Sequence, residues 1–315
     1  MARRSDRIRR RMDDRLIGVD VGGTKVSVAV FADGELSEPH VEPTERSSPD
    51  ALLDQLVRLI SAAAGDDGHV AVGLGVPSVV DWETGRVRSS VNIPLADVPL
   101  RDVLRERLGV PVFVDNDASV AALAEAHDCG ARHLVMFTLG TGVGGGVVID
   151  GRVFRGATGA APELGHWVIA ADLRNGEPQH NEHFPQPGSL ESLAAGTALD
   201  RLGRERGFED GRAVVQAAHR GDERACEAVR LLGTRLGIGI ANAVNAFDPE
   251  VVAVGGGVSV AGELLLRPAR DTAARFVVPG VGTRTEIRRA RGGPDAGVRG
   301  AALLAGQELQ MEVTR

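Results

Sequence analysis

Three glycine-rich stretches in this 315-residue chain have the composition of an oxyanion cradle. They are Gly22-Gly23-Thr24 with Lys25 next in line, Gly140-Thr141-Gly142 running on to Gly144, Gly145 and Gly146, and Gly255-Gly256-Gly257. Glycine lets main-chain amides approach an oxygen closely, and successive N–H groups make a concavity that binds anions. Each stretch follows an apolar run that reads as a strand, and α/β folds bind ligands at the carboxyl ends of strands. One such stretch is as readily a plain turn. Three in matched contexts point to the phosphate chain of a nucleotide. None fits the GxxxxGK pattern of a P-loop, and residues 140–145, though spaced as GxGxxG, lead into a strand and not a helix, which argues against a P-loop NTPase and a dinucleotide-binding dehydrogenase.

Two other clusters carry polar chemistry. Asp117 closes Asp115-Asn116-Asp117, after an apolar strand at 110–114 and directly before an alanine-rich helix at 118–127. Such a segment reads either as a helix cap or Asx turn or as a carboxylate that takes a proton from a substrate hydroxyl while Asn116 orients the substrate. The glycine stretches favour the second reading. Glu163-Leu-Gly-His166 and Gly188-Ser-Leu-Glu191 supply acceptors and a switchable donor, a set suited to a polyol. Lys25 is the one lysine among 36 basic residues, and its compact ammonium falls inside the first glycine turn.

The elements that must position these residues follow from periodicity. Residues 16–31 read as strand, turn and strand, with Val26, Val28 and Val30 alternating and Asp33-Gly34 as a turn. Ser48 and Pro49 open a helix whose apolar side is Leu52, Leu53, Leu56, Leu59 and Ile60, and Gly65 ends it. Strands are expected at 70–76 and 251–254 and near 286–290, and helices at 99–108, 190–202, 224–247, 261–276 and 298–309. Residues 134–151 repeat the pattern of 16–34, with an offset of 118 from Gly22 to Gly140 and 117 from Gly34 to Gly151. A duplicated unit predicts two domains of like topology facing each other, and strands alternating with helices predict an α/β class with mixed sheets.

Composition narrows the function. At roughly 150 residues per domain the length suits two domains. The net charge of −7 and ten aromatics without a tyrosine argue against nucleic-acid binding by charge or stacking. Cys129 and Cys226 form no CxxC, which leaves no disulfide framework. No run approaches the ~18 apolar residues of a membrane span, so a cytoplasmic protein without membrane contact is expected. Residues 1–15, with seven arginines and three acids, read as a disordered basic arm.

Together these motifs resemble the ROK sugar kinases (repressor, open reading frame, kinase) of the actin-like ATPase superfamily, in order and over residues 16 to about 306. Asp20-Val-Gly-Gly-Thr-Lys25 and Leu139-Gly-Thr-Gly-Val-Gly-Gly-Gly146 resemble the two phosphate motifs, Val114-Asp-Asn-Asp117 the catalytic segment, Glu163–His166 and Gly188–Glu191 the sugar signature, and Asp248-Pro-Glu with Gly255, Gly256 and Gly257 the adenosine motif. The resemblance implies two actin-like (ribonuclease H-like) domains with mixed β-sheets and a cleft between them. The small domain would span 16–117 and the large one 118–297, with a C-terminal helix at 298–312 packing back on the first. It implies a hexose held by Asn92, Asn116, Asp117, Glu163, His166 and Glu191, with Asp117 as general base. ATP would lie on Gly22, Gly23, Thr24, Lys25, Gly140, Thr141, Gly142 and the 255–257 glycines, and Asp20 would position Mg²⁺.

Glucose is the leading substrate, as in a glucokinase of glycolysis. N-acetylglucosamine, N-acetylmannosamine, mannose and fructose remain alternatives, as does polyphosphate for ATP. A homodimer is implied. The family's transcriptional repressors carry a helix-turn-helix before the first strand, and the arm has no room for one. The family's structural zinc, bound by the signature histidine and three cysteines, meets a departure. The corresponding stretch reads His180-Asn-Glu-His183-Phe-Pro-Gln-Pro-Gly188, without a cysteine. His166, His180 and His183 remain as candidates, but the missing thiolates argue against zinc.

Overall fold

The computed structural model describes residues 15–65, 71–90, 92–173 and 176–314. The expected basic arm, apart from Arg15, and Val70 at the head of an expected strand lie outside the described residues. The chain forms two compact units. One takes the chain up to Cys129, Val153–Ala161 and Gly292 onward, and the other takes Gly130–Arg152 and Pro162–Arg291.

The first unit is built on a mixed sheet. Strands β1 (Leu16–Val21) and β2 (Lys25–Ala32) form an antiparallel hairpin in which Leu16 faces Phe31 and Val21 faces Val26. Short β3 (Glu35–Leu36) and β4 (His40–Pro43) pair with β2. Helix α1 (Pro49–Ala64) begins where Ser48 accepts from the Ala51 amide at 3.1 Å, and proline at its first position suits the fixed φ there. Its leucine stripe is buried, as its spacing predicts.

Next come β5 (Ala71–Val76), a hairpin of β6 (Ser78–Asp81) and β7 (Arg86–Ser90) that periodicity did not announce, α2 (Leu100–Leu108), β8 (Val112–Asn116) and α3 (Asp117–Cys129). The sheet order is β3-β2-β1-β5-β8, with β1, β5 and β8 parallel. The C-terminal helix, Ala296–Thr314, lies flush on the sheet. A Cβ at Gly18 or Gly73 would overlap the carbonyl of Val298 or Ala301. Glycine on the strands and alanine on the helix make this close approach possible.

In the second unit β9 (Leu134–Leu139) and β10 (Val143–Ile149) repeat the hairpin, followed by β11 (Arg152–Val153). Four turn residues, 22–25, separate the facing pair Val21 and Val26, against three, 140–142, between Leu139 and Val143. That missing residue is why the sequence offset falls from 118 to 117. Helices α4 (Leu190–Ala194), α5 (Gly196–Arg204), α6 (Gly211–His219) and α7 (Glu223–Phe247) precede β12 (Val251–Gly255), α8 (Glu263–Phe276) and β13 (Glu286–Arg289). The order β11-β10-β9-β12-β13, with β9, β12 and β13 parallel, mirrors the first sheet.

Two boundaries differ from expectation. The helix expected over 190–202 is two helices broken at extended Ala195, because the Gly196 amide leaves the helical ladder for the Gly140 carbonyl at 2.8 Å. Helix α3 groups with the first unit and not the second, since it packs against β5, β8 and the C-terminal helix. Among the described residues no helix is long and apolar enough to cross a membrane.

Candidate active site

In the first unit the chain folds two carboxylates onto neighbouring strand ends. Asp20, next to last in β1, faces Gly75 of β5 across the ladder, and a Cβ on Gly75 would lie 3.4 Å from the Cα of Asp117. The glycine leaves no side chain between the two acids. Burial first, and then the nearby Asp117 carboxylate, push Asp20 up to about 6 against the opposing charge of Lys25. Gly297, in the first turn of the C-terminal helix, packs on the Asp20 carboxylate so closely that a Cβ would meet its carbon at 2.6 Å. Burial likewise raises Asp117, against the hydrogen bond its Oδ1 accepts from the Ala118 amide at 2.7 Å.

The rest of the Asp115-Asn116-Asp117 segment also makes contacts that hold the fold. Asn116 Oδ1 accepts from the amides of Ala118 and Ser119, at 3.0 and 3.2 Å, which is a helix cap. Its Nδ2 donates to the Ser78 carbonyl at 3.4 Å. Asp115, 3% exposed, accepts from the Asn116 amide at 2.8 Å and pairs with Arg155 at 2.6 Å. Beside them the 22–25 turn is closed by the Gly22 amide on the Lys25 carbonyl at 2.8 Å. Thr44 clamps it, donating its hydroxyl to the Gly22 carbonyl at 2.7 Å and its amide to the Thr24 carbonyl at 3.1 Å. Asn92 lies over Gly23, where a Cβ would meet its Cβ at 3.2 Å. The amides of Gly23 and Thr24 have no acceptor among the described residues, and Thr24 and Lys25 are exposed.

In the second unit the glycine motifs converge. Gly256, at φ 81°, sits against the main chain of Leu139, at the head of the 140–142 turn, so a side chain there would be both strained and crowded. The turn is held by α4 and α5. The Gly196 amide donates to the Gly140 carbonyl, Thr197 donates its hydroxyl to the Thr141 carbonyl at 3.1 Å, and Glu191 accepts from the Val143 amide at 2.8 Å while packing on Gly142. The amides of Thr141 and Gly142 have no acceptor among the described residues. Glu163 stands 3.7 Å from His166 and is raised by burial, lowered by His166 and raised by Glu191, so the three expected polyol ligands share one neighbourhood. Asp248 and Glu250 serve the fold, accepting from the amides of Gly282 and of Arg132 and His133.

Against this geometry, a model of the ROK family matches residues 16–308. The chain belongs to the ROK family. Among its ROK-family relatives, the glucokinase of Halalkalibacterium halodurans is 36% identical, over 96% of this chain and 98% of its own length. The N-acetyl-D-glucosamine kinase of Haemophilus influenzae is 34% identical, over 91% and 98%. The crystal structure of a ROK family glucokinase from Streptomyces griseus, in complex with glucose and AMPPNP, superposes with a TM-score of 0.74 at 32% identity, covering 93% of this chain and 99% of that one. The two mixed sheets are those of the actin-like ATPase fold.

The two metals implied by the ROK family fare differently. Asp20 suits a divalent cation, because a buried carboxylate beside a second one gains from a neutralising charge. The zinc candidates do not fit. The His166 ring meets Phe184 edge-on at 4.9 Å, and no three potential ligands gather among the described residues. Sequence reasoning missed Thr44 and Arg155. Neither lies near in sequence to the groups it touches, so no spacing could have found them.

Proposed function

We propose that this ROK-family sugar kinase transfers the γ-phosphoryl of ATP to the 6-hydroxyl of a hexose, glucose first, with Asp117 as general base. The observation that carries the reading is the Asp117 carboxylate at the head of α3, beside Asp20 and raised above the ordinary carboxylate range by burial. A base works best with a pKa near the operating pH. The sugar oxygen attacks the γ-phosphorus, its proton passes to Asp117, and ADP leaves with the bridging oxygen. Alignment and charge stabilisation supply most of the acceleration in such transfers.

The amides of Gly23, Thr24, Thr141 and Gly142, with Lys25, would take phosphate oxygens. Gly255, Gly256 and Gly257 would let the nucleotide approach the main chain. Asp20 would hold Mg²⁺ or its waters, and the cation would offset charge on the phosphates. In the first unit Asn92, Asn116 and Asp117 are the proposed sugar contacts. In the second they are Glu163, His166 and Glu191. Glucose and AMPPNP bound to the S. griseus relative support a sugar and an adenine nucleotide as the substrates. The kinship to an N-acetyl-D-glucosamine kinase supports a second reading, a 2-acetamido hexose as acceptor.

A coupled assay over glucose, mannose, fructose, N-acetylglucosamine and N-acetylmannosamine, with ATP or polyphosphate as donor, separates these readings. Asp117→Asn is expected to lower kcat by at least about 10²-fold while sugar binding persists. Turnover near that of wild type would sink the assignment.

A further inference from the structure

Asp115 is a buried acid next but one to the proposed base, and its two oxygens do different work. Oδ1 accepts from the Asn116 amide at 2.8 Å, within the turn that carries Asp117. Oδ2 meets Arg155 Nε at 2.6 Å, and Arg155 Nη2 reaches Glu308 of the C-terminal helix at 2.8 Å. The side chains of Asp115, Arg155 and Glu308 are 4%, 15% and 16% exposed. The Arg155 guanidinium also stands over the Trp82 ring at 5.6 Å. A planar, charged fork held on three sides is a rigid strut.

We propose that Arg155 is a positioning residue for phosphoryl transfer: through Asp115 it ties the strand-to-helix turn bearing Asp117 to the C-terminal helix, so that the base is held in its reactive place. The inference rests on Asp117 being the base. A buried pair adds little net stability over an apolar substitute, whereas a misplacement of about 1 Å at a reacting group costs on the order of 10²-fold in rate. The geometry of this triad therefore bears on rate more than on folding energy.

The test compares Arg155→Met, Arg155→Lys and Asp117→Asn with wild type, measuring kcat, the KM for ATP and the melting temperature on folded protein. Arg155→Met is expected to lose about 10²-fold in kcat. Its KM for ATP should stay within about twofold, because the groups that the Arg155 guanidinium meets, Asp115, Glu308 and Trp82, lie in none of the glycine stretches. Arg155→Lys should recover part of the loss, since an ammonium keeps the charge and lacks the fork. If Arg155→Met does not fold, Asp115→Asn/Arg155→Met, which leaves neither of that pair as an orphaned charge, takes its place in the same measurement. A folded variant with wild-type kcat and only a lower melting temperature overturns the proposal, as does a KM for ATP that rises in step with the fall in kcat. An Asp117→Asn enzyme that turns over normally sinks the parent reading. Inactive Asp117→Asn beside fully active Arg155→Met sinks this inference alone.

Discussion

Replacing Asp20 by asparagine should make the protein more stable and less active, and the gain should depend on pH. Burial and the Asp117 charge raise Asp20 from an ordinary 3.8 to about 6. The folded state therefore binds the proton more tightly than the unfolded chain does, and ionised Asp20 opposes folding. At about 1.4 kcal/mol per pH unit between the two values, the cost is about 3 kcal/mol once both states are ionised. Its sign is fixed by the direction of the shift. The stabilising effect of protonation is complete below the unfolded value and is lost as pH rises through about 6. Asparagine keeps the shape against Gly297 without the charge. Denaturant unfolding of wild type and Asp20→Asn should thus give a difference of about 3 kcal/mol at pH 8, roughly half of that at pH 5 and about a fifth at pH 4. Asp117→Asn should lower the Asp20 pKa, readable by carboxyl NMR titration, because that neighbour is the second cause of the rise. A stability difference flat from pH 4 to 8, or an asparagine variant weaker than wild type at pH 8, would refute the account of a desolvated, repelled carboxylate.

Glu191→Ala should weaken both substrates in steady-state kinetics, since Glu191 is a proposed sugar contact and also holds the Val143 amide beside the glycine turn; Glu191→Gln, which can still accept from that amide, should spare the KM for ATP. Gly256→Ala should raise the KM for ATP and lower the melting temperature, because a Cβ there meets the Leu139 main chain at a positive φ. Gly73→Ala should cost at least about 1–3 kcal/mol in denaturant unfolding, as the methyl group would displace the C-terminal helix at Ala301. Ser48→Ala should cost about 1 kcal/mol through the lost cap of α1.

The sequence by itself determined the features whose cause is local or repeated. Alternating valines and glycine turns specified both hairpins, and their duplication specified two units of one topology. Ser48-Pro49 and the leucine stripe specified α1. The order of the glycine, Asp117 and Glu163–His166 motifs was enough to point to the ROK family. Residues from distant stretches become neighbours only on folding, and those contacts no local pattern records. Tertiary structure alone decided that Asp20 and Asp117 flank Gly75 and that Asp117 raises Asp20, since each acid taken separately is an ordinary aspartate. It decided that Glu191 tethers the 140–142 turn, and that the helix over 190–202 breaks so that Gly196 can reach Gly140. It also brought Arg155 to Asp115, across forty positions of chain. Periodicity reports which face of an element is apolar. The partner of a buried charge is fixed by packing, because the cost of leaving that charge unpaired is felt only once water has been excluded.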